Sequence, residues 1–330
     1  MEPFTAFRIH QDNDEIVARL EQISLDDLSA GDVVIRTSWS GINYKDALAA
    51  TGAGKILRQY PLVGGIDVAG VVISSEDQRF SAGDEVLVVG AGLSETRDGG
   101  YAEFGRFPAD LVIPLPAGLS LREAMVIGTA GFSAGLAVHR MEQNGQHPDL
   151  GPVAVTGASG GVGSVAIDML AGLGYAVTAI TSKTSAEEYL RELGAADIMA
   201  ARTIEFSKRP LDKAMWGGAI DNLGGDVLGW LTRTMRSGGN IASIGLAAGI
   251  QLETTVMPFI LRGVNLLGIN STEMSRELKL EVWQRIATDL KPRHLDQIAT
   301  RQVSLEQLQE CFPGYIDGRV TGRTLVRLGD

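Results

Sequence analysis

Two parts of this chain combine residue types and spacings that could do chemistry. One is the turn Gly157-Ala158-Ser159-Gly160-Gly161-Val162-Gly163, between a branched apolar run at 153–156 and a helical pattern at 161–173. Glycine permits a sharp turn and lets a phosphate approach without meeting a Cβ. The N-terminus of the following helix supplies orphan N–H groups and partial positive charge. A pyrophosphate satisfies both, so the turn is a candidate dinucleotide site. Its spacing departs from the usual G-x-G-x-x-G fingerprint. It lacks the Lys-Ser/Thr of a P-loop, which argues against nucleoside triphosphate hydrolysis. Close packing of a helix on a strand is the alternative use for such glycines.

The next apolar run, 175–181, decides which dinucleotide. NAD sites commonly place an Asp or Glu about 20 residues beyond the turn for the ribose hydroxyls. Here the run ends in Thr181-Ser182-Lys183, and no acid follows until Glu187. A carboxylate would repel a 2′-phosphate, whereas hydroxyls and an ammonium bind one through charge-assisted hydrogen bonds. NADPH is therefore the expected cofactor, with Arg202 as a second cation. The alternative for Lys183 is a solvated surface lysine. The other chemically suggestive part is a pair of stretches, Gly41-Ile42-Asn43-Tyr44-Lys45-Asp46 and Gly64-Gly65-Ile66-Asp67-Val68-Ala69-Gly70.

The elements that must hold these residues follow from periodicity. Residues 1–115 are rich in short strands, with runs at 32–40, 66–74, 81–90 and 100–107 separated by Gly, Asp and Pro clusters, as in a small barrel-like domain. The pattern changes near Leu115-Pro116. Ser120 and Glu123 have capping-box spacing, and two helical stretches follow, up to Met141. From Val153 strand and helix alternate: strands at 153–156, 175–181, 198–200, 218–222 and 240–245, helices at 161–173, 185–193 and 224–236. Ser185 and Glu188 repeat the capping-box spacing. Such alternation specifies a parallel, helix-covered sheet. Residues 265–270 add an edge strand and 275–290 a helix. The tail has a helix opened by Ser304 and Gln307 and a last strand at 323–327, expected to return to the N-terminal domain.

Composition bounds the function. Length suggests two domains at roughly 150 residues each. Glycine supplies 41 of 330 residues, well above the usual ~7%. The net charge of −11 and the absence of a dense Lys/Arg block exclude a nucleic-acid binder. The single cysteine, Cys311, forbids an intrachain disulfide and fits a reducing, cytoplasmic setting. The N-terminus lacks signal-peptide character, and no run of about 18 apolar residues suggests a membrane span.

With GINYKD, GGIDVAG and TGASGGVGS in this order, the sequence resembles the medium-chain dehydrogenase/reductase superfamily over essentially its whole length. Residues 127–142 (IGTAGFSAGLAVHRME), YLRELGA (189–195), AIDNLGG and TTVMPFILRGVNLLGINS (254–271) narrow it further. They look like the zinc-free acrylyl-CoA reductase subfamily, long labelled quinone oxidoreductases. The resemblance implies an α/β fold: a GroES-like β domain plus a Rossmann doubly wound parallel sheet. The expected division is a GroES-like catalytic domain at 1–122, an NADPH-binding domain at 123–268 and a return segment at 269–330. Zinc-dependent members carry Cys and His ligands where this chain has Asn43 and Ile66-Asp67. With one cysteine and four scattered histidines, no metal site is expected.

Conjugate reduction needs no metal. Hydride from NADPH adds to the β-carbon of an activated alkene, donors stabilise the carbonyl oxygen, and the α-carbon takes a proton. Asn43 and Tyr44 are candidate donors, and Asp46 and Asp67 would orient them or relay protons. Each has a structural alternative: Asn43 caps a turn, Asp46 is the N-cap of 46–50, and Asp67 is a buried carboxylate paired with Lys45. The resemblance further implies that Tyr44 lies against the nicotinamide and that Ser159, Gly160, Gly161 and Val162 hold the pyrophosphate. It assigns Thr181, Ser182, Lys183 and Arg202 to the 2′-phosphate, Leu246, Ile260 and Ser271 to the nicotinamide half, and Arg323 to the ligand. The family often has Ser-Gly-Arg at 181–183; lysine keeps the charge and loses the bidentate fork. Lys55, Arg58 and Arg262 are candidates for the phosphates of a CoA thioester. The expected reaction is reduction of acryloyl-CoA to propanoyl-CoA by a cytoplasmic homodimer that binds neither nucleic acid nor membrane. The alternatives are an NADPH-dependent quinone or alkenal reductase and a non-catalytic NADPH-binding sensor or structural protein.

Overall fold

The computed structural model describes residues 2–207 and 209–329. These form two compact units. One comprises the residues up to Thr129, Thr272–Glu281 and those from Leu295 onward; the other comprises Ala130–Ser271 and Val282–His294. The changeovers lie a few residues beyond the expected 122 and 268. The return segment is itself divided, because 282–294 belongs to the second unit.

The second unit is built on a six-stranded, all-parallel sheet. Its spatial order is Asp197–Ala200, Val177–Thr181, Val153–Thr156, Trp216–Asp221, Met235–Ser243, Asn265–Gly268. That is the 3-2-1-4-5-6 order of the doubly wound dinucleotide fold. Val153–Thr156 and Trp216–Asp221 are buried throughout. Central parallel strands are covered on both faces, which is why their sequences are apolar without alternation. Helix Gly161–Gly172 follows the first strand, and its buried Asp168 ties down the returning segment. The Asp168 carboxylate accepts hydrogen bonds from His294 N at 2.8 Å and, at 3.1 Å, from His294 Nδ1 in its protonated form.

The first unit carries a seven-stranded sheet around the long strand Val33–Ile42. This strand pairs with Asp67–Ser75, Phe104–Phe107 and the C-terminal strand Thr324–Arg327. Thr324 lies opposite Ile42, so the tail does return to the N-terminal β structure. Helix Leu308–Ile316 seals the join, with the Phe312 ring 5.8 Å from that of Phe7. A smaller sheet holds Glu15–Ile23, Phe4–Asp12 and Leu62–Val63.

Several local expectations change. The first two strands form a hairpin that sequence reading passed over. Its turn, Asn13-Asp14, has φ of 50° and 67°, the left-handed pair that suits a two-residue hairpin. The Ser120–Glu123 box forms reciprocally, at 2.8 and 3.2 Å. The Ser185–Glu188 box does not, because a 3-10 turn over Thr184–Ala186 makes Ala186 the cap of helix Glu187–Glu192. Helix Leu121–Gln143 is long and apolar enough by composition to cross a membrane, contrary to the reading of the sequence. It is a core helix, however: 78% of its most apolar window is buried inside the protein, and Gly128 (φ 50°, ψ −159°) breaks it into the two expected stretches.

Candidate active site

In the first unit, Asn43 caps helix Tyr44–Thr51 where strand Val33–Ile42 ends. Its side chain sits at the centre of a buried polar network. Asn43 Oδ1 accepts from Arg323 Nη1 at 2.8 Å, while Nδ2 donates to Asp67 Oδ2 at 2.8 Å and to Asp46 Oδ2 at 3.2 Å. Asp46 also accepts from Asn43 N at 2.8 Å and from Ile66 N at 3.0 Å. Asp67 Oδ1 accepts from Thr129 N and Oγ1 at 2.7 and 2.6 Å, and Asp67 Oδ2 accepts from Arg323 Nη2 at 2.9 Å. Arg323 donates in addition to the carbonyls of Val126 and Ile42. A Cβ at Gly41 or at Gly128 would lie 2.6 Å from Arg323 Nη2, so glycine at both positions makes room for the guanidinium.

This network redistributes the expected roles. Both amide hydrogens of Asn43 are committed to carboxylates, so it cannot donate to a substrate oxygen without leaving a buried charge short of a partner. Asp46 is the third helical residue rather than the N-cap. Asp67 pairs with Arg323, and Lys45 pairs instead with Glu95. Arg323, expected at the cofactor, is only 2% exposed, with its donors engaged inside this unit. Tyr44 differs: it is the first helical residue, 40% exposed, and its hydroxyl has no hydrogen-bond partner among the described residues. Burial, reinforced by the neighbouring Asp67 carboxylate, pushes Asp46 up to about 7 against the pull of its bonds from Asn43 and Ile66.

In the second unit, most of the candidate cofactor residues follow carboxyl ends of the parallel strands, where ligands bind in open α/β sheets. Ser159, Gly160, Gly161 and Val162 follow Val153–Thr156; Thr181, Ser182 and Lys183 end or follow Val177–Thr181. Exposed Arg202 follows Asp197–Ala200, Leu246 follows Met235–Ser243, and Ser271 follows Asn265–Gly268. Ile260 lies instead on the short helix Met257–Arg262 and is 72% exposed. A Cβ on Gly163 would lie 2.6 Å from the carbonyls of Gly157 and Ala158, so the helix start packs directly on the turn. Lys183 N donates to Thr181 Oγ1 at 3.1 Å, and burial lowers the pKa of the Lys183 ammonium.

Sequence reading missed the residues at the switch point between the first and fourth strands. Thr156 Oγ1 donates to Asp221 at 2.7 Å, and Asn222 Nδ2 donates to the Thr156 carbonyl at 2.7 Å. Asn222 Oδ1 is buried with no donor among the described residues. An unpartnered acceptor beside the glycine turn fits a bound dinucleotide, which carries hydroxyl and amide donors. The polar end of the run at 218–222 was the available signal. Arg262, a candidate for CoA phosphates, instead donates to the carbonyls of Arg233, Met235 and Asp212.

A Rossmann sheet with a glycine turn, accompanied by a β unit with a C-terminal return strand, is the build of a medium-chain dehydrogenase/reductase. The family described as alcohol dehydrogenase GroES-like domain matches residues 29–117, and that described as zinc-binding dehydrogenase matches 161–288. The acrylyl-CoA reductase AcuI of Ruegeria pomeroyi is 43% identical over 98% of each chain. Escherichia coli K-12 YhdH, solved with bound NADPH, is 44% identical over 98% of this chain and 100% of that one, with a TM-score of 0.95. Bacillus subtilis yhfP, solved with NAD bound, is 44% identical over 99% and 100%, with a TM-score of 0.96. The chain belongs to the acrylyl-CoA reductase and quinone oxidoreductase subfamily of the medium-chain dehydrogenase/reductase superfamily.

The zinc in one family description does not fit these residues. Cys311 is buried in helix Leu308–Ile316. The histidines are dispersed, with His10 at Glu21, His139 at Arg285, His147 at Asp149 and His294 at Asp168. No three potential ligands cluster among the described residues, and both oxygens of Asp67 already accept hydrogen bonds.

The Asp46 environment sets a pH dependence. A carboxyl raised from 3.8 to about 7 on folding contributes stability that is complete below pH 3.8 and lost as pH rises to about 7. Urea unfolding across this range should show wild type losing stability, relative to Asp46→Asn, by on the order of a few kcal/mol. A wild-type-minus-variant difference independent of pH would contradict the assignment.

Proposed function

We propose that this protein reduces the activated C=C bond of acryloyl-CoA to propanoyl-CoA, with NADPH as the hydride source and without a metal. The observation that carries the cofactor choice is the carboxyl end of strand Val177–Thr181, where buried Thr181 is followed by exposed Ser182 and by Lys183, with no carboxylate. A 2′-phosphate there would offset the burial that depresses Lys183, because an opposite charge favours the ammonium. Exposed Arg202 adds a second cation, and Asn222 Oδ1 accepts from the nicotinamide half. Support for the thioester comes from the 43% identical relative named acrylyl-CoA reductase.

In this reading Tyr44 donates its hydroxyl to the thioester carbonyl oxygen as negative charge develops there. Asn43, Asp67 and Arg323 are positioning residues that hold the start of the Tyr44 helix. Asp46, poised near neutrality, keeps the net charge of the network low and stores a proton close to the reacting groups. Overall one hydride and one proton add across the double bond, giving propanoyl-CoA and NADP⁺. The chain functions as a homodimer. Strand Asn265–Gly268 is an unpaired sheet edge among the described residues, and Ile250, Val256, Ile260 and Leu261 expose apolar surface nearby in sequence.

Three measurements test this reading. Steady-state NADPH oxidation should give acryloyl-CoA a kcat/KM at least about tenfold above free acrylate, a small quinone or an alkenal; a quinone in first place would reassign the substrate. Lys183→Asp should shift the NADPH-to-NADH ratio of kcat/KM toward NADH by about tenfold or more, equivalent to about 1.4 kcal/mol. An unchanged ratio would remove the electrostatic basis for NADPH. Sedimentation equilibrium should give twice the 35.0 kDa chain mass, and a monomer would exclude the dimer.

A further inference from the structure

A second polar feature of the first unit lies outside the Asn43 network. Lys45, Lys55, Ile56, Leu57, Arg58 and Glu95 line an open hollow of about 600 Å³. Three cations and one carboxylate leave it with two net positive charges, on a chain whose total is −11. The arrangement is braced rather than incidental. Glu95 bridges two of the cations, with Lys45 Nζ on Oε2 and Arg58 Nη2 on Oε1 at 3.1 Å. Lys45 is the main reason that the Glu95 carboxyl is held below its usual range. Two more hydrogen bonds close the same contact: Arg58 N donates to Glu95 O at 2.8 Å, and the side-chain Gln59 Nε2 donates to Thr96 O at 2.9 Å.

The loop carrying Glu95 is conformationally costly. Gly90, Ala91, Gly92 and Ser94 all have left-handed φ, at 61°, 52°, 78° and 54°. Alanine and serine seldom adopt that conformation and keep it where the surroundings impose it. The outcome is a carboxylate fixed between two cations that would otherwise repel each other. Each cation keeps further N–H donors beyond the one engaged on Glu95. Lys55 is exposed, and the Arg58 side chain is 74% exposed, so their donors face outward. Ile56 and Leu57 contribute an apolar component beside the charges.

We propose that this hollow seats the phosphate-bearing half of a CoA thioester. The inference rests on the proposed function and names where that substrate's charge is met. The location fits, because Lys45 directly follows Tyr44, the donor assigned to the thioester carbonyl. The chemistry fits as well: a phosphorylated adenosine offers several negative charges and an apolar base to a seat with surplus positive charge and an apolar flank. NADPH does not compete for the role, since its phosphates have the glycine turn, Lys183 and Arg202 in the second unit.

The test compares acryloyl-CoA with S-acryloyl-pantetheine, which keeps the reacting end and lacks the adenosine phosphates. Wild type should favour acryloyl-CoA by at least about tenfold in kcat/KM at low salt, through KM, with the advantage shrinking as ionic strength rises. In Lys55→Glu/Arg58→Glu that ratio should fall about tenfold, and Lys55→Arg/Arg58→Lys should restore it. Calorimetry with adenosine 3′,5′-bisphosphate, at saturating NADP⁺, should show binding to wild type that is lost in the double glutamate variant, while inorganic phosphate alone binds neither. If wild type prefers acryloyl-CoA and the variant's ratio and bisphosphate binding are unchanged, the seat is overturned and the proposed function stands. If wild type reduces neither thioester but binds the bisphosphate in a Lys55- and Arg58-dependent way, the proposed function fails and the seat stands.

Discussion

The polar centre of the first unit depends on one electrostatic constraint: two carboxylates, Asp46 and Asp67, are buried within reach of a single Asn43 side chain. Burying a charge is tolerable only where pairing and hydrogen bonds replace its hydration. Arg323 supplies the pairing for Asp67, and backbone N–H groups with Thr129 and Asn43 supply the rest. Asp46 takes the other route and shifts toward its neutral form. Much of the unit follows from this need. The C-terminal strand must lie against Val33–Ile42 for Arg323 to arrive, and the chain must break at Gly128 for Thr129 to face Asp67.

Satisfying that network narrows the chemistry. Side chains that could have acted on a substrate are instead committed to one another, and their combined effect is to fix the backbone from Ile42 to Asp46. The exposed Tyr44 hydroxyl stands at the start of a helix whose N-cap is locked from three directions. Polar networks that are fully satisfied rigidify their surroundings, and the role proposed for Tyr44 draws on that rigid mount. The second unit works by a different principle. Its sheet order gathers loops from six strand ends on one side, and the glycine turn brings helix N–H groups there without obstruction.

Much of the second unit was legible in the sequence. Buried parallel strands are nearly uniform in hydrophobicity, and their alternation with helices at regular spacing announces the sheet. The glycine turn and Thr181-Ser182-Lys183 are local signals, carried by adjacent residues, and they end or follow the first two parallel strands. The Asn222–Thr156–Asp221 cluster was missed because it joins two strands far apart in sequence, and the bonds that define it have no local pattern. The N-terminal hairpin has only a weak local signature: Asn13-Asp14 is a fair turn signal, but the buried positions in FTAFRIH do not alternate strictly. The Ser185–Glu188 box failed because a spacing rule cannot tell whether a 3-10 turn will intervene.

For the candidate site the division is sharper. The sequence by itself determined the presence of a dinucleotide-type turn, the absence of a carboxylate after the second strand, and the residue types in GINYKD and GGID, because these depend on neighbours along the chain. Only the tertiary structure decided that Asp67 pairs with Arg323 rather than Lys45, that Asn43 is occupied while Tyr44 is not, and that Arg262 faces backbone carbonyls. The physical reason is that hydrogen bonds and ion pairs saturate. Whether a polar group remains available for a ligand depends on which distant groups reach it first, and that competition is settled only when the chain has closed on itself.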